Sequence, residues 1–136
     1  MRLVLDTNVL ASALLWGGKP GLLLRAVREG RHTAFSSTPL LAELTDILGR
    51  EKFQAKITAS LLSVDQIVDR YADLVMLARP FEIPRTAPDP DDDIVIGTAI
   101  AAMADAVVTG DKALLSIGYY QQVQLVSVAE TEQLLA

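Results

Sequence analysis

The 136-residue sequence contains no cysteine, one histidine (His32) and few aromatics, at 5%. Without cysteine there is no disulfide framework, no thiolate nucleophile and no sulfur ligation of zinc. A lone histidine cannot supply an imidazole-rich metal site. The scarcity of aromatics leaves no ribbon of rings on which nucleic-acid bases could stack. The N-terminus does not read as a signal peptide, because Asp6 interrupts the apolar run after a few residues, and no segment reaches the roughly 18 apolar residues of a membrane span. A cytoplasmic protein without a membrane association is expected. An excess of positive charge is missing too. Twelve basic and seventeen acidic residues give a net charge of −5, the wrong sign for holding nucleic acid by charge alone.

What is abundant is apolar sequence, at 51% hydrophobic residues with a mean hydropathy of +0.33. The length fits a single domain over 1–136, and the apolar richness points to surface covered by a partner or a second copy, a homo-oligomer. Arg2 to Leu5 read as a short buried strand ending at Asp6. A helix follows over Val9 to Trp16, is broken at Gly17-Gly18-Lys19-Pro20, and resumes from Leu22 to Arg28. Thr33 to Ser36 form a second strand, and Thr38 with Pro39 starts a helix carrying Glu43. Glu51 to Leu62 predict a helix frayed in its middle, and Ser63 with Gln66 a capping box for a helix reaching about Leu77. Pro80, Pro84, Pro88 and Pro90 impose an extended connection in which Phe81 to Ile83 add an edge strand. A helix then begins in the aspartates 91 to 93. Ala106 to Thr109 form a strand closed by Gly110, Val123 to Val126 a last strand, and Glu130 to Leu135 a closing helix. Strands alternating with helices indicate an α/β fold: a three-layer α/β/α sandwich around a parallel sheet of about four to five strands.

The acids are concentrated where such a fold collects ligands, beyond the carboxyl ends of its strands. Asp6 and Asp111 each follow an apolar strand, and on neighbouring strands they stand roughly 5 Å apart. Either alone reads as a turn former. Glu43, with Leu40 and Ile47 at helical spacing, sits at the edge of the stripe facing the sheet, although the same phase also allows it to point to water. Two of Asp91, Asp92 and Asp93 serve the first turn of their helix and the remaining one turns to the strand ends. Helical phase leaves that choice open, since Asp93 with Ile96 and Ile100 and Asp92 with Ile96 and Ala99 both make a stripe. Four carboxylates without a neutralising base call for a cation, and all-oxygen ligation selects Mg²⁺ or Mn²⁺. Such ions activate water and stabilise the charge of phosphodiester hydrolysis. Lys19, Arg25, Arg28, Arg50, Lys52 and Lys112 are available to meet a phosphate backbone.

The segments MRLVLDTNVL, TPLLAELTDIL and DDDIVIGTAIAAMADAVVTGDKALL, in this order, resemble the PIN-domain family, and most closely bacterial PIN proteins that act as toxins of toxin-antitoxin pairs. The resemblance runs from Met1 to about Leu115. It implies an α/β/α sandwich, a metal-dependent endoribonuclease acting on single-stranded RNA, and an antitoxin protein as partner. Carried over by position, the acidic quartet falls on Asp6, Glu43, Asp93 and Asp111, as catalytic metal ligands for Mg²⁺ or Mn²⁺, with Asn8 and Thr109 as polar neighbours. VSVAETEQLL departs from the pattern by lacking a proline before the closing helix. Two other classes compete: a phospho-accepting receiver-like signalling module, disfavoured because Asp6 is single and Lys112 directly follows Asp111, and a catalytically inert PIN fold serving as a binding partner.

Overall fold

A computed structural model describes residues 1–134. Its elements are β1 (Arg2–Leu5), α1 (Thr7–Leu15), α2 (Gly18–Arg28), β2 (Thr33–Ser36), α3 (Thr38–Leu48), a 3-10 turn (Glu51–Phe53), α4 (Gln54–Ser60), α5 (Val64–Leu74), β3 (Met76–Leu77), α6 (Pro90–Ala101), β4 (Ala106–Val108), α7 (Lys112–Ile117), β5 (Tyr119–Tyr120), β6 (Val123–Val126) and α8 (Val128–Leu134). The sheet has six strands in the order β3-β2-β1-β4-β6-β5, all parallel except β5, which runs antiparallel to β6. The two-residue edges β3 and β5 carry the count past the expected four to five.

Alternation along the strands divides the core. Leu3 and Leu5 of β1 and Val108 of β4 pack on α1, α2, α3 and α5, whereas Val4 and Val107, one residue out of phase, pack on α6 and the start of α7. Both faces are covered, hence the uninterrupted apolar runs of β1 and β4. From β1 the chain proceeds outward to β2 and β3, then returns to lay β4 on the other side of β1. β1 and β4 therefore flank the point where the strand order reverses, the place at which open α/β sheets bind ligands.

Several expected boundaries move. The helix after β1 starts at Thr7 rather than Val9, and the following break shrinks to Trp16 and Gly17, with Gly18 already helical. Ser37, not Thr38, is the cap of α3. The Ser63–Gln66 capping box forms as expected, but its helix stops at Leu74, and Met76 and Leu77 pair in parallel with Phe35 and Ser36 of β2. That edge position is consequently taken, and Phe81 to Ile83, expected as an edge strand, are irregular. The proline missing before α8 is replaced by a second reciprocal cap: the Glu130 amide donates to Ser127 Oγ at 3.1 Å and the Ser127 amide to Glu130 Oε1 at 3.2 Å. Leu135, the expected end of this helix, lies outside the described residues.

The proline-rich segment 78–89 lies against α6. The Phe81 amide donates to the Gly97 carbonyl at 3.1 Å, and a Cβ on Gly97 would stand 2.3 Å from the Phe81 carbonyl oxygen. Gly97 is thus required by backbone-to-backbone approach. In Gly97→Ala, the better helix propensity of alanine offers about 1 kcal/mol, but a clash with a main-chain oxygen cannot be relieved by a rotamer change. The variant should lose about 1–3 kcal/mol of stability in urea titration.

Candidate active site

β1 ends in Asp6 and β4 in Thr109, neighbouring positions because Leu5 pairs with Val108. The Asp6 side chain is almost fully buried. Its Oδ1 accepts the Thr7 amide at 2.8 Å and its Oδ2 the Thr109 hydroxyl at 2.7 Å. Thr109 Oγ1 also accepts the Asp111 amide at 3.0 Å, so one buried hydroxyl ties the two strand-end acids into a single turn. Asp111 caps α7, its Oδ1 accepting the amides of Ala113 at 2.7 Å and Leu114 at 3.2 Å. Its Oδ2 makes no hydrogen bond among the described residues. The turn-former role of both aspartates is real, but it occupies only part of their acceptor capacity. Glu43, half-buried on α3, accepts the Thr7 hydroxyl at 3.1 Å, a link from α1 to α3 that the sequence did not reveal.

The aspartate triplet separates by helical phase. Asp93 is buried on the side of α6 that carries Gly97, four residues on, and it faces the 78–89 segment rather than the strand ends. It accepts the Ala87 amide at 2.8 Å and the Thr86 amide at 3.3 Å, and pairs with Arg85 at 3.3 Å. Asp92 shares the sheet-facing side with Val95, Ile96 and Ala99, all buried against β1 and β4. Asp91 is exposed, and Asp89 caps the helix through the Asp91 amide at 2.9 Å. The structure thus brings Asp6, Glu43 and Asp111 together as expected but places Asp92 with them, and Asp93 elsewhere. The expectation of Asp93 rested on family position, helical phase having left the choice between Asp92 and Asp93 open.

Electrostatics couple these acids to one another and to Asp89 and Asp91. Burial, then the charges of Asp111, Asp6, Asp89 and Glu43, push the Asp92 carboxyl up to about 7. Burial is also the leading cause that raises Asp6 and Glu43, reinforced by Asp111 in the first case and by Asp6, Asp91 and Asp89 in the second, and opposed by the threonine hydrogen bonds. No basic side chain contributes to any of these shifts, and the ion pairs of the described residues leave all four acids aside. What partial positive charge is present comes from the N-termini of α1, α6 and α7, which converge here. An open cleft of about 350 Å³ runs along Asp6 and Asp111, with Asn8, Ser12 and Pro20 on its walls. Asn8 is exposed on its rim; Ser12 and Pro20 are site neighbours that sequence reasoning missed.

Among the described residues no three acids stand close enough to form a ready metal-binding group. The donor set nevertheless suits a hard divalent cation, being all carboxylate oxygen, partly desolvated and without a basic counter-ion.

A parallel sheet with acids facing its reversal point has the layout of an α/β ligand-binding protein. The PIN domain profile matches residues 2–113, and the chain belongs to the PIN domain family. A search of curated protein sequences finds no significant match. Among solved structures the fold is similar to a chain in the crystal structure of VapBC2 from Rickettsia felis bound to a DNA fragment from their promoter. The TM-score is 0.60 at 15% identity, over 93% of this chain and 98% of that one.

The two adjacent aspartates should respond oppositely to neutralisation. A carboxyl whose folded pKa of about 7 exceeds its reference value of 3.8 binds more protons when folded, so stability of the metal-free protein falls as pH rises from about 4 to about 7. In EDTA the protein should melt several degrees higher at pH 5.5 than at pH 7.5, and Asp92→Asn should raise the melting temperature at pH 7.5 while shrinking that pH difference. Asp93→Asn, which weakens charge-assisted bonds to two amides and Arg85, should cost about 1–3 kcal/mol at either pH. Equal destabilisation by both substitutions would contradict the assignment.

Proposed function

We propose that the chain is a Mg²⁺- or Mn²⁺-dependent endoribonuclease that hydrolyses phosphodiester bonds of single-stranded RNA. The observation that carries this reading is the gathering of Asp6, Glu43, Asp92 and Asp111 at the β1/β4 reversal point with no basic residue to neutralise them. These four would hold the ion, with Asp92 in the place first expected for Asp93. A bound divalent cation would supply Lewis-acid stabilisation of phosphoryl oxygens and a more acidic water. The chain's own residues set the conditions. Thr109 and Thr7 fix the rotamers of Asp6 and Glu43, α7 fixes Asp111 by its cap, and the sheet-facing side of α6 holds Asp92. Asn8 and Ser12 line the cleft and offer neutral hydrogen bonds to the sugar-phosphate chain. With few aromatics and an acidic surface, binding through phosphate and sugar suits a strand carrying its own cations better than stacking does.

Membership of the PIN family displaces the receiver-like alternative and supports nuclease chemistry. Resemblance to toxin PIN proteins, together with a structural relative crystallised as VapBC2, supports a cytoplasmic toxin whose cleft an antitoxin protein covers. The apolar-rich composition supports association with that partner and with a second copy. No described helix is long and apolar enough to cross a membrane.

Purified protein incubated with a mixed single-stranded RNA pool and Mn²⁺ should cleave it, and EDTA or Asp6→Asn should reduce the rate by at least about 100-fold. Cleavage that survives in Asp6→Asn would defeat the proposal. A folded protein that binds Mn²⁺ yet cuts no RNA would favour the inert binding-partner reading.

A further inference from the structure

Trp16 is the sole tryptophan of the chain and, at 52% exposed, one of the few aromatic rings left open to solvent. It caps the end of α1 one helical turn past Ser12, and both its own amide and that of Gly17 donate to the Ser12 carbonyl, at 2.9 and 3.2 Å. Ser12 lines the acidic cleft together with Asn8, and Asn8, Ser12 and Trp16 follow one another at i, i+4 and i+8 along the less buried side of α1. The chain turns at Gly17, at positive φ, and four residues beyond Trp16 it is back at the cleft with Pro20. Trp16 thus stands just past the cleft wall, about 12 Å from Asn8 along the helix axis.

The ring is held in place. It meets Phe53, a buried core residue, at an interplanar angle of 63° with ring centroids 5.6 Å apart. Two exposed ammonium groups accompany the pair: Lys56 Nζ lies 5.5 Å from the centre of the Trp16 ring, and Lys52 Nζ 5.0 Å from that of Phe53. Neither lysine takes part in an ion pair among the described residues, so their charge is free to meet a phosphate. A lysine over an exposed ring is weakly held, and a base that displaces it leaves the ammonium beside the adjoining phosphate. A fixed, half-open ring flanked by cations offers what single-stranded nucleic acid takes, a face for a base and counter-charge for the backbone. A ribbon of rings is missing, so phosphate and sugar contacts carry the strand, and this one ring anchors one base.

Resting on the nuclease reading above, we propose that Trp16 is a stacking platform for one base of the RNA strand, a few nucleotides from the phosphate cleaved at the acidic cleft, with Lys52 and Lys56 meeting the phosphates beside it. The strand runs from the ends of β1 and β4 over Asn8 and Ser12 to the ring. Stacking tolerates any base, so Trp16 adds affinity and sets a minimum length of substrate without setting a sequence.

Because the chain has no other tryptophan, indole emission reads this site alone. Mixing the full chain with a short single-stranded oligoribonucleotide of mixed sequence in Mg²⁺, and reading emission before turnover, should show saturable quenching. Inorganic polyphosphate of matched charge, which has phosphates and no bases, should leave the emission largely unchanged. Trp16→Leu, which keeps an apolar contact to Phe53, should raise KM for RNA cleavage at least about fivefold with kcat little changed, and Trp16→Phe should recover most of that loss. Thermal melts control for folding, and quenching in the parent decides the matter even where Trp16→Leu folds poorly. RNA cleavage by the parent without quenching, equal quenching by polyphosphate, or an unchanged KM in Trp16→Leu would overturn the inference and leave the nuclease reading standing, with the ring left to a protein partner. Quenching by RNA that the parent does not cleave would keep the stacking site and defeat the nuclease reading. Neither quenching nor cleavage would overturn both.

Discussion

Mutual repulsion among carboxylates at the ends of β1 and β4 is the constraint around which the fold is arranged. Left to themselves, such groups would point to water. Here Thr109 holds Asp6 inward, Thr7 holds Glu43, the first turn of α7 holds Asp111, and packing against the sheet holds Asp92. Each restraint is a local device of a few kcal/mol at most; together they keep the acids desolvated and near one another, and that burial and mutual repulsion, opposed by the threonine hydrogen bonds, raise Asp6, Glu43 and Asp92. Neutralising Asp92 should therefore stabilise the protein near neutral pH when no cation is bound. This trade is what the proposed cation site requires.

α6 is buried on both sides, and this decides which aspartate the site receives. One side packs on β1 and β4, the other receives the segment 78–89 through the close approach at Gly97 and the bonds from Thr86, Ala87 and Arg85 to Asp93. Asp93 is therefore tied to the support of the helix, and it fixes the rotation that turns Asp92 toward Asp6 and Asp111. Two carboxylates adjacent in sequence take opposite tasks because a helix sets them about 100° apart.

Much of this was legible beforehand. Apolar runs ending in Asp6 and Thr109 revealed the parallel strands, Ser63 and Gln66 a helix start, and the strand ends set Asp6 and Asp111 side by side, whereas helical phase left Glu43 open and the family resemblance singled it out. Asp92 was obscured because Val95 through Ala99 are all buried, so the helix has no apolar stripe to read, and a rotation of one residue is invisible without knowing what covers the second side. Met76 and Leu77 were absorbed into the preceding helix because a two-residue edge strand depends on its neighbour β2 rather than on its own pattern. Ser127 and Glu130 did carry a readable signal, the spacing of a capping box, which attention to the missing proline concealed.

The central claim is that the acids facing one another, and not merely the acids aligned by family position, hold the divalent ion. Mn²⁺ binding followed by electron paramagnetic resonance in the parent, Asp92→Asn and Asp93→Asn reads this directly, without RNA and without turnover. The account predicts that Asp92→Asn loses at least about tenfold in Mn²⁺ affinity while folded Asp93→Asn stays close to the parent. Retained binding in Asp92→Asn with loss in Asp93→Asn would contradict it.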